Sequence, residues 1–430
     1  MYCCCSLGGV YAKFGQFTSG RQGVGKGSVG VLYGLAYVTV LVFDGWFDTL
    51  FPAVFGCIEG LLEKSVDYIC IFQKIVVTLR RNFKMSNTAM KALVKRYAER
   101  GIWMEDVPMP EVGVNDVLIK VKKAAICGTD LHMYKWDKWS QSHCTPPYTM
   151  GHEFVGEVVE IGAGVRNTKV GERVTAEGHI VCGHCRNCRR GMGHVCENSL
   201  SVGIFGKDGA FAEYVTIPES NIVHVRPEIP DDFAAIMDPF GNATHTALAF
   251  PLLGEDVLIT GAGLIGTMAA GICRYAGAKH IVVTDLNPLR LEIAKKMGAT
   301  LTVDGSKGET VEQAMKQLGI KGFDVGLEMS GAPAAFNDMI AHMYKGANIA
   351  QLGILPDDTK VNWSDVIFNA LTIKGITGRR MWETWYQMEQ MLLGGLDLSP
   401  VITHRFAFED FQKGFDIMES GQCGKVLLEM

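Results

Sequence analysis

The stretch Val257-Leu258-Ile259-Thr260-Gly261-Ala262-Gly263-Leu264-Ile265-Gly266 decides the fold. A short apolar strand runs into Gly-x-Gly-x-x-Gly, and helical patterning follows to about Tyr275. A second apolar run, Ile281-Val282-Val283-Thr284-Asp285, ends on an acid 24 residues after Gly261. The glycine pattern alone is weak evidence. The strand before it, the helix after it and the acid at that distance make it a dinucleotide-binding signature. Gly261 permits the tight turn, Gly263 lets a pyrophosphate approach the backbone, and Gly266 lets helix and strand pack closely. The backbone N–H groups near Leu264 and Ile265 then face the anion at the positive end of the helix. A carboxylate at Asp285 suits both ribose hydroxyls and repels a 2′-phosphate, so NAD is expected over NADP. The plainer reading of Asp285 is a strand-end cap. Arg290 is close enough in sequence to reach the adenosine side.

Outward from this stretch the chain shows two rhythms. Leu289–Gly298 reads as a second helix, and the runs FDVGLEMSG and ANIAQLG continue a strand–helix alternation to about residue 376. Such alternation implies a parallel, doubly wound sheet. Upstream, residues 90–240 are rich in short β-type runs separated by turns: VLIKV at 117–121, EFVGEVVEIG at 153–162 and FAEYVTI at 211–217. These read as an antiparallel, barrel-like domain. Residues 377–430 are expected to return to that domain, leaving 241–376 as the dinucleotide-binding domain. The fold class expected is therefore α/β with a β-barrel partner.

Residues 1–84 read differently. They hold 14 of the 40 aromatic residues, and a charge-free run extends from Gly27 to Phe43. A membrane span needs about 20 apolar residues, so this run stands at the lower limit, and glycines interrupt it. No small-residue cleavage site follows it as a secretory signal requires. The segment is expected to be an atypical extension outside the working enzyme, with Met85 or Met90 opening a conventional chain. A membrane location is expected only if the extension acts as an anchor. The whole chain has 430 residues with 41 basic against 46 acidic side chains. Nothing in that balance makes the basic stripe of a nucleic-acid binder.

Two clusters carry metal chemistry. Cys182-x2-Cys185-x2-Cys188-x7-Cys196 brings four thiols into 15 residues. Four thiolates complete a tetrahedral zinc shell, so this site is expected to be structural. His184 and His194 are expected outside that shell. The second cluster is Cys127-Gly-Thr129-Asp-x-His132 followed by Gly151-His152-Glu153. One thiolate, one imidazole and one carboxylate leave a fourth position open, as a catalytic zinc requires. Taken singly, Cys127 reads as a buried small hydrophobe and His152 as a satisfied polar residue; the pairing of the two segments favours the metal.

These residues, together with MKAL, AICGTDLHMYKWDKWSQ, EGHIVCGHCRNCRRG, DPFGNATHTAL, FDVGLEMSGAP and ITHRF, resemble the zinc-dependent medium-chain dehydrogenase/reductase family from about Met90 to Met430. The resemblance implies a GroES-like β-barrel catalytic domain, a Rossmann domain, one catalytic and one structural zinc, a cytoplasmic location, and a homotetramer. Within the family it points to the branch that oxidises the C3 hydroxyl of L-threonine with NAD. A polyol or butanediol dehydrogenase on the same scaffold is the near alternative, and a non-catalytic NAD-binding scaffold protein the distant one. The resemblance assigns Cys127, His152 and Glu153 to the catalytic zinc and Thr129 and His132 to a proton relay. It assigns Cys182, Cys185, Cys188 and Cys196 to the second zinc. It adds Ile265, Asp285, Arg290, Leu352, Gly353, Ile354, Ile376 and Thr377 as NAD contacts. Asp238 lies where relatives carry a further zinc-shell group, and its shorter side chain is expected to act through water or in proton transfer. Arg379 or Arg380 is expected to pair with the substrate carboxylate. Trp136, Trp139 and Asp137 or Glu177 are expected on the other side of the pocket.

Overall fold

The computed structural model describes residues 89–430 and, within the first 41 residues, the backbone of four short strands. The chain divides into two compact units, Met1–Met85 and Ser86–Met430. In the first, Cys3–Leu7 pairs antiparallel with Val10–Phe14, and Gly30–Gly34 with Tyr37–Leu41. The described part of the charge-free run is thus two antiparallel strands. Among the described residues no helix is long and apolar enough to cross a membrane. Met85, with the rest of residues 42–88, lies outside the described residues.

The second unit contains a seven-stranded mixed sheet organised around the strand Asp116–Ile126. Glu153–Ile161, Tyr214–Pro218 and Lys425–Glu429 all pair with it antiparallel. Val117, Leu118, Ile119, Ala124, Ala125 and Ile126 in this strand are fully buried. Each large aliphatic side chain so placed contributes roughly 1.5–3 kcal/mol of transfer free energy. Register then decides where the chemistry falls. Ala125 stands opposite both Glu153 and Leu427. The last residue of the hub, Ile126, stands opposite Val426. Cys127, Glu153 and Lys425 are thereby gathered at one end of the sheet from segments far apart in sequence.

The run 211–217 differs from expectation. Only Tyr214–Pro218 joins the large sheet. Phe211 instead donates from its N to Met150 O (2.8 Å) and accepts at its O from Leu93 N (2.7 Å). These bonds tie it to the separate three-stranded sheet of Trp103–Pro108, Ala89–Lys95 and Tyr148–Thr149.

The other sheet has six parallel strands in the order Leu301–Asp304, His280–Asp285, Asp256–Thr260, Phe323–Glu328, Met343–Gln351, Thr372–Gly375. Asp256–Thr260 is buried along its whole length, as a central parallel strand covered on both faces must be. The strand order reverses beside it, so a crevice opens at the carboxyl ends of Asp256–Thr260 and Phe323–Glu328. The helix Leu264–Tyr275 follows the glycine turn. The helix Pro288–Lys296 follows Asp285 and starts on an Asn287 N-cap with proline in its first turn.

Candidate active site and metal centres

Cys127 is the N-cap of the helix Gly128–Lys135. Thr129 N donates to its Sγ, and its own N donates to Asp130 Oδ2 (2.9 Å), a reciprocal cap. His152 and Glu153 lead into the neighbouring strand, and Gly151 before them has φ +90°. A Cβ at Gly151 would come 2.4 Å from the Phe211 ring. Only glycine makes this turn and leaves Phe211 in place.

The donor atoms of Cys127, His152 and Glu153 lie within 4.8 Å of one another. His152 Nδ1, Glu153 Oε1 and Asp130 Oδ1 are buried without a hydrogen-bond partner. Orphaned polar atoms of this kind are costly unless something else occupies them. A divalent ion with sulfur, nitrogen and oxygen donors fits the set. Asp130 Oδ1 lies 3.6 Å from His152 Nδ1, which leaves Nε2 as the ligating nitrogen and Asp130 as its orienting carboxylate. Burial opposes charge on His152, but Asp130 and Cys127 push its pKa up to about 10. Asp130 is pushed up by its complete burial.

Sequence reasoning missed Lys425. Its Nζ donates to Glu153 Oε2 (2.6 Å) and to Ile126 O (3.0 Å), and both side chains of the pair are almost wholly buried. Burial works against its charge, yet Glu153 and Cys127 hold it above the ordinary lysine value. The available signal was a lone charge opening the apolar run KVLLE.

Thr129 and His132 share the helix Gly128–Lys135, three positions apart and so on one face. His132 is exposed, and its Nδ1 meets Asp137 Oδ2 at 2.5 Å. Asp137 also accepts from Ser140 N through Oδ1, capping the next helix. Asp137 thereby engages Nδ1 and orients the His132 ring.

The pocket residues expected to grip a carboxylate are used elsewhere. Arg379 is 1% exposed. Its Nε and one terminal nitrogen donate to Glu177 Oε2 and Oε1, both at 2.7 Å, and the same terminal nitrogen lies 2.7 Å from Asp238 Oδ2. Glu177 is itself fully buried and accepts further from Trp385 Nε1 and from His179 N and Nδ1. Despite burial, the Arg379 charge and these bonds hold Glu177 well below the usual carboxylate range. Arg379 and Glu177 satisfy each other within the fold. Arg380 pairs with Glu383 at the surface (2.8 Å). Asp238 stands outside the three-donor group, restrained by Arg379.

The four lobe cysteines also lie within 4.8 Å of one another. Cys196 Sγ is 3.5 Å from Cys182 Sγ and 3.9 Å from Cys185 Sγ. A tetrahedral shell with zinc–sulfur bonds of about 2.3 Å has sulfur–sulfur edges of about 3.8 Å. Backbone N–H groups of Cys182, Cys185, Cys188 and Asn198 point at the sulfurs at 3.4 Å. His184 bonds to Cys182 O and His194 packs edge-on against His245, so both lie outside the sulfur group.

The glycines of the dinucleotide turn divide their work. Gly261 has φ +92°, and a Cβ at Gly266 would come 1.9 Å from Gly261 O. At Gly263 a Cβ would meet nothing within 4 Å, which leaves the room a pyrophosphate needs. The helix beyond has no side-chain cap, so its first N–H groups face that space. Asp285 does act as a strand-end cap: Oδ1 accepts from Leu286 N and Asn287 N. Its Oδ2 accepts from Ala262 N (2.7 Å) and ties the strand end to the glycine turn. Arg290 follows on the adjoining helix. Leu352, Gly353 and Ile354 form the turn after Met343–Gln351, with Ile354 90% exposed. Ile376 and Thr377 follow the edge strand, the first buried and the second exposed.

A β-barrel bearing a three-donor metal centre, joined to a parallel dinucleotide sheet, defines a metal-dependent dehydrogenase. Residues 113–228 match the alcohol dehydrogenase GroES-like domain, and residues 265–394 match the zinc-binding dehydrogenase domain. An L-threonine 3-dehydrogenase of Alteromonas mediterranea is 60% identical over 341 residues, covering 79% of this chain and 99% of that protein. Two solved structures cover similar shares. The alcohol dehydrogenase rspB of Escherichia coli, complexed with NADH, has a TM-score of 0.73 at 26% identity, over 80% of this chain and all of that one. The 2R,3R-butanediol dehydrogenase of Bacillus subtilis has a TM-score of 0.72 at 28% identity, over 79% and 99%. The chain belongs to the L-threonine 3-dehydrogenase family of zinc-containing, NAD(P)-dependent medium-chain dehydrogenases.

Proposed function

We propose that the chain oxidises the C3 hydroxyl of L-threonine to L-2-amino-3-oxobutanoate. The observation that carries this reading is 60% identity to an L-threonine 3-dehydrogenase along 99% of its length, with the three-donor centre intact. Cys127, His152 and Glu153 would hold a zinc ion, and Asp130 and Lys425 orient two of those ligands. Bound there, zinc supplies Lewis acidity and the nicotinamide accepts the hydride. The chain handles the proton. Thr129 passes it from the substrate hydroxyl to Nε2 of His132, while Asp137 holds Nδ1 and fixes the tautomer. Arg379 restrains Asp238 beside the centre, which supports a role for Asp238 through water or in proton transfer, not as a ligand.

The finer assignments are part of the same proposal. Two zinc ions bind per chain, the second in the four-cysteine lobe. NAD is preferred over NADP because Asp285 is presented at the ribose position. Residues 90–240 with 377–430 form the catalytic domain, 241–376 the cofactor domain, and 1–84 an extension outside the working enzyme. The enzyme is a homotetramer. The edge strand Thr372–Gly375 and the exposed Trp363, Ile367 and Phe368 offer a second copy an apolar face. All eight described cysteines outside the extension are free thiols, which supports a reducing, cytoplasmic compartment. NADH formation from L-threonine, compared with 2,3-butanediol and sorbitol, tests the reading. Threonine should be preferred, and Cys127→Ser should abolish turnover while the chain remains folded. Preference for a diol, or full turnover by Cys127→Ser, would overturn it.

A further inference from the structure

Glu328 ends the central strand Phe323–Glu328 at the mouth of the crevice and is fully buried. Every group that meets its carboxylate is a donor. Oε1 accepts from Ser330 N (2.9 Å), from the Ser330 hydroxyl, from Gly331 N (3.1 Å) and from Thr260 Oγ1 (3.4 Å). Oε2 accepts from Gln351 Nε2 (2.7 Å) and Gly331 N (3.3 Å). Gln351 Nε2 also donates to Gly353 O (2.7 Å), while Leu352 N and Gly353 N both donate to Glu328 O (3.0 Å).

These partners are the last residues of Asp256–Thr260 and Met343–Gln351, where two turns begin, and the turn after Phe323–Glu328. The turns touch without slack. A Cβ at Gly261 would come 2.9 Å from Ser330 Cα, one at Gly331 2.7 Å from Ile354 O, and one at Gly353 2.2 Å from Glu328 Oε2. One side chain thus sets the spacing of three loops. A buried acid is a poor device for stability alone, since an apolar residue of similar volume generally serves as well or better.

We infer that Glu328 is a positioning residue for the nicotinamide half of the dinucleotide. It holds the 329–331 and 352–354 turns at the separation the ring requires. The inference rests on the dinucleotide reading given above. The adenosine half has its own anchor, because Asp285 bonds the glycine turn through Ala262 N (2.7 Å), whereas Glu328 reaches that side only through its longest bond, to Thr260 Oγ1 (3.4 Å). A fault at Glu328 should therefore be felt at one end of the cofactor.

The test uses the zinc-loaded full chain. Dissociation constants are measured for NADH by fluorescence and for ADP-ribose by calorimetry, alongside thermal unfolding. In Glu328→Gln an amide NH2 must face either Gly331 N–H or the Gln351 amide, so one strong acceptor is lost. The Kd for NADH should rise about tenfold. ADP-ribose should stay within about twofold, and KM for NAD should rise more than KM for threonine. If that variant does not fold, Gln351→Ala removes one arm and should weaken NADH about threefold, with ADP-ribose unchanged. Equal weakening of both ligands, or a lowered melting temperature with NADH binding intact, would overturn the inference. Wild-type protein that binds neither ligand would overturn the dinucleotide reading itself.

Discussion

Replacing Glu177 by Gln tests the buried charge network most directly. The substitution keeps the volume but removes the charge that neutralises Arg379, and it turns an acceptor-only group into one that also presents an NH2. Five donors converge on the native carboxylate, two from Arg379, two from His179 and one from Trp385. At least one of them must lose its partner. Asp238 would remain as the guanidinium's one carboxylate. Two opposite charges about 4 Å apart interact by roughly 4 kcal/mol at an effective dielectric constant of 20. Removing one member of a buried pair costs about 3–5 kcal/mol, so the two arguments agree, and we expect that loss at pH 7. The pH dependence gives a second readout. Arg379 depresses the carboxyl from its ordinary value of 4.5, so the unfolded chain takes up a proton before the folded chain does. Its contribution is therefore complete above pH 4.5 and is lost as the pH falls below that. Urea unfolding of both proteins, from pH 7 down to about 3.5, should show a gap that narrows on the acid side. A difference under about 1 kcal/mol at pH 7, or a gap that does not shrink with acid, would refute the reasoning.

Three further outcomes are expected. Lys425→Met leaves Glu153 buried beside an apolar chain and should destabilise the metal-free protein by about 3–5 kcal/mol in urea unfolding; a loss under 1 kcal/mol would remove Lys425 from the centre. Cys188→Ser should lower bound zinc from two atoms to one by elemental analysis, and a chelator should abolish activity in the wild type; retention of both atoms would exclude a zinc in the lobe. Asp285→Ser removes the charge that repels a 2′-phosphate, and the ratio of kcat/KM for NADP over NAD should rise about tenfold or more; an unchanged ratio would leave Asp285 as a cap alone.

Legibility in the sequence followed the range of the interactions. The strand Asp256–Thr260, its glycine turn and the helix Leu264–Tyr275 could be read because each depends on neighbours in the chain. The four lobe cysteines were readable for the same reason. The Cys127 and His152–Glu153 segments were joined only because both carry unusual local chemistry. The Glu177–Arg379 pair, 202 residues apart, has no such mark. An arginine beside an expected pocket suggests a ligand for substrate, and nothing nearby tells that a distant glutamate has already engaged it. Glu328 was hidden differently: it lies inside a quoted run, FDVGLEMSG, but two of its donors arrive from the ends of two other strands. At Asp285 the structure shows the capping bonds from Leu286 N and Asn287 N, which the sequence offered as the plainer reading.

The register of the hub strand also bears on how the protein comes to be made. Glu153 and Lys425 are 272 residues apart, and Lys425 opens a strand that ends one residue before the chain does. Closing a loop of that length is slow relative to local folding, and a nascent chain emerges amino end first. Residues 123–126 of the hub strand therefore lack their partner on one flank until Lys425–Glu429 has been made and docks, while residues 116–120 can already pair with Tyr214–Pro218. Until Lys425 docks, the Glu153 carboxylate lacks the counter-charge that it holds in the finished fold.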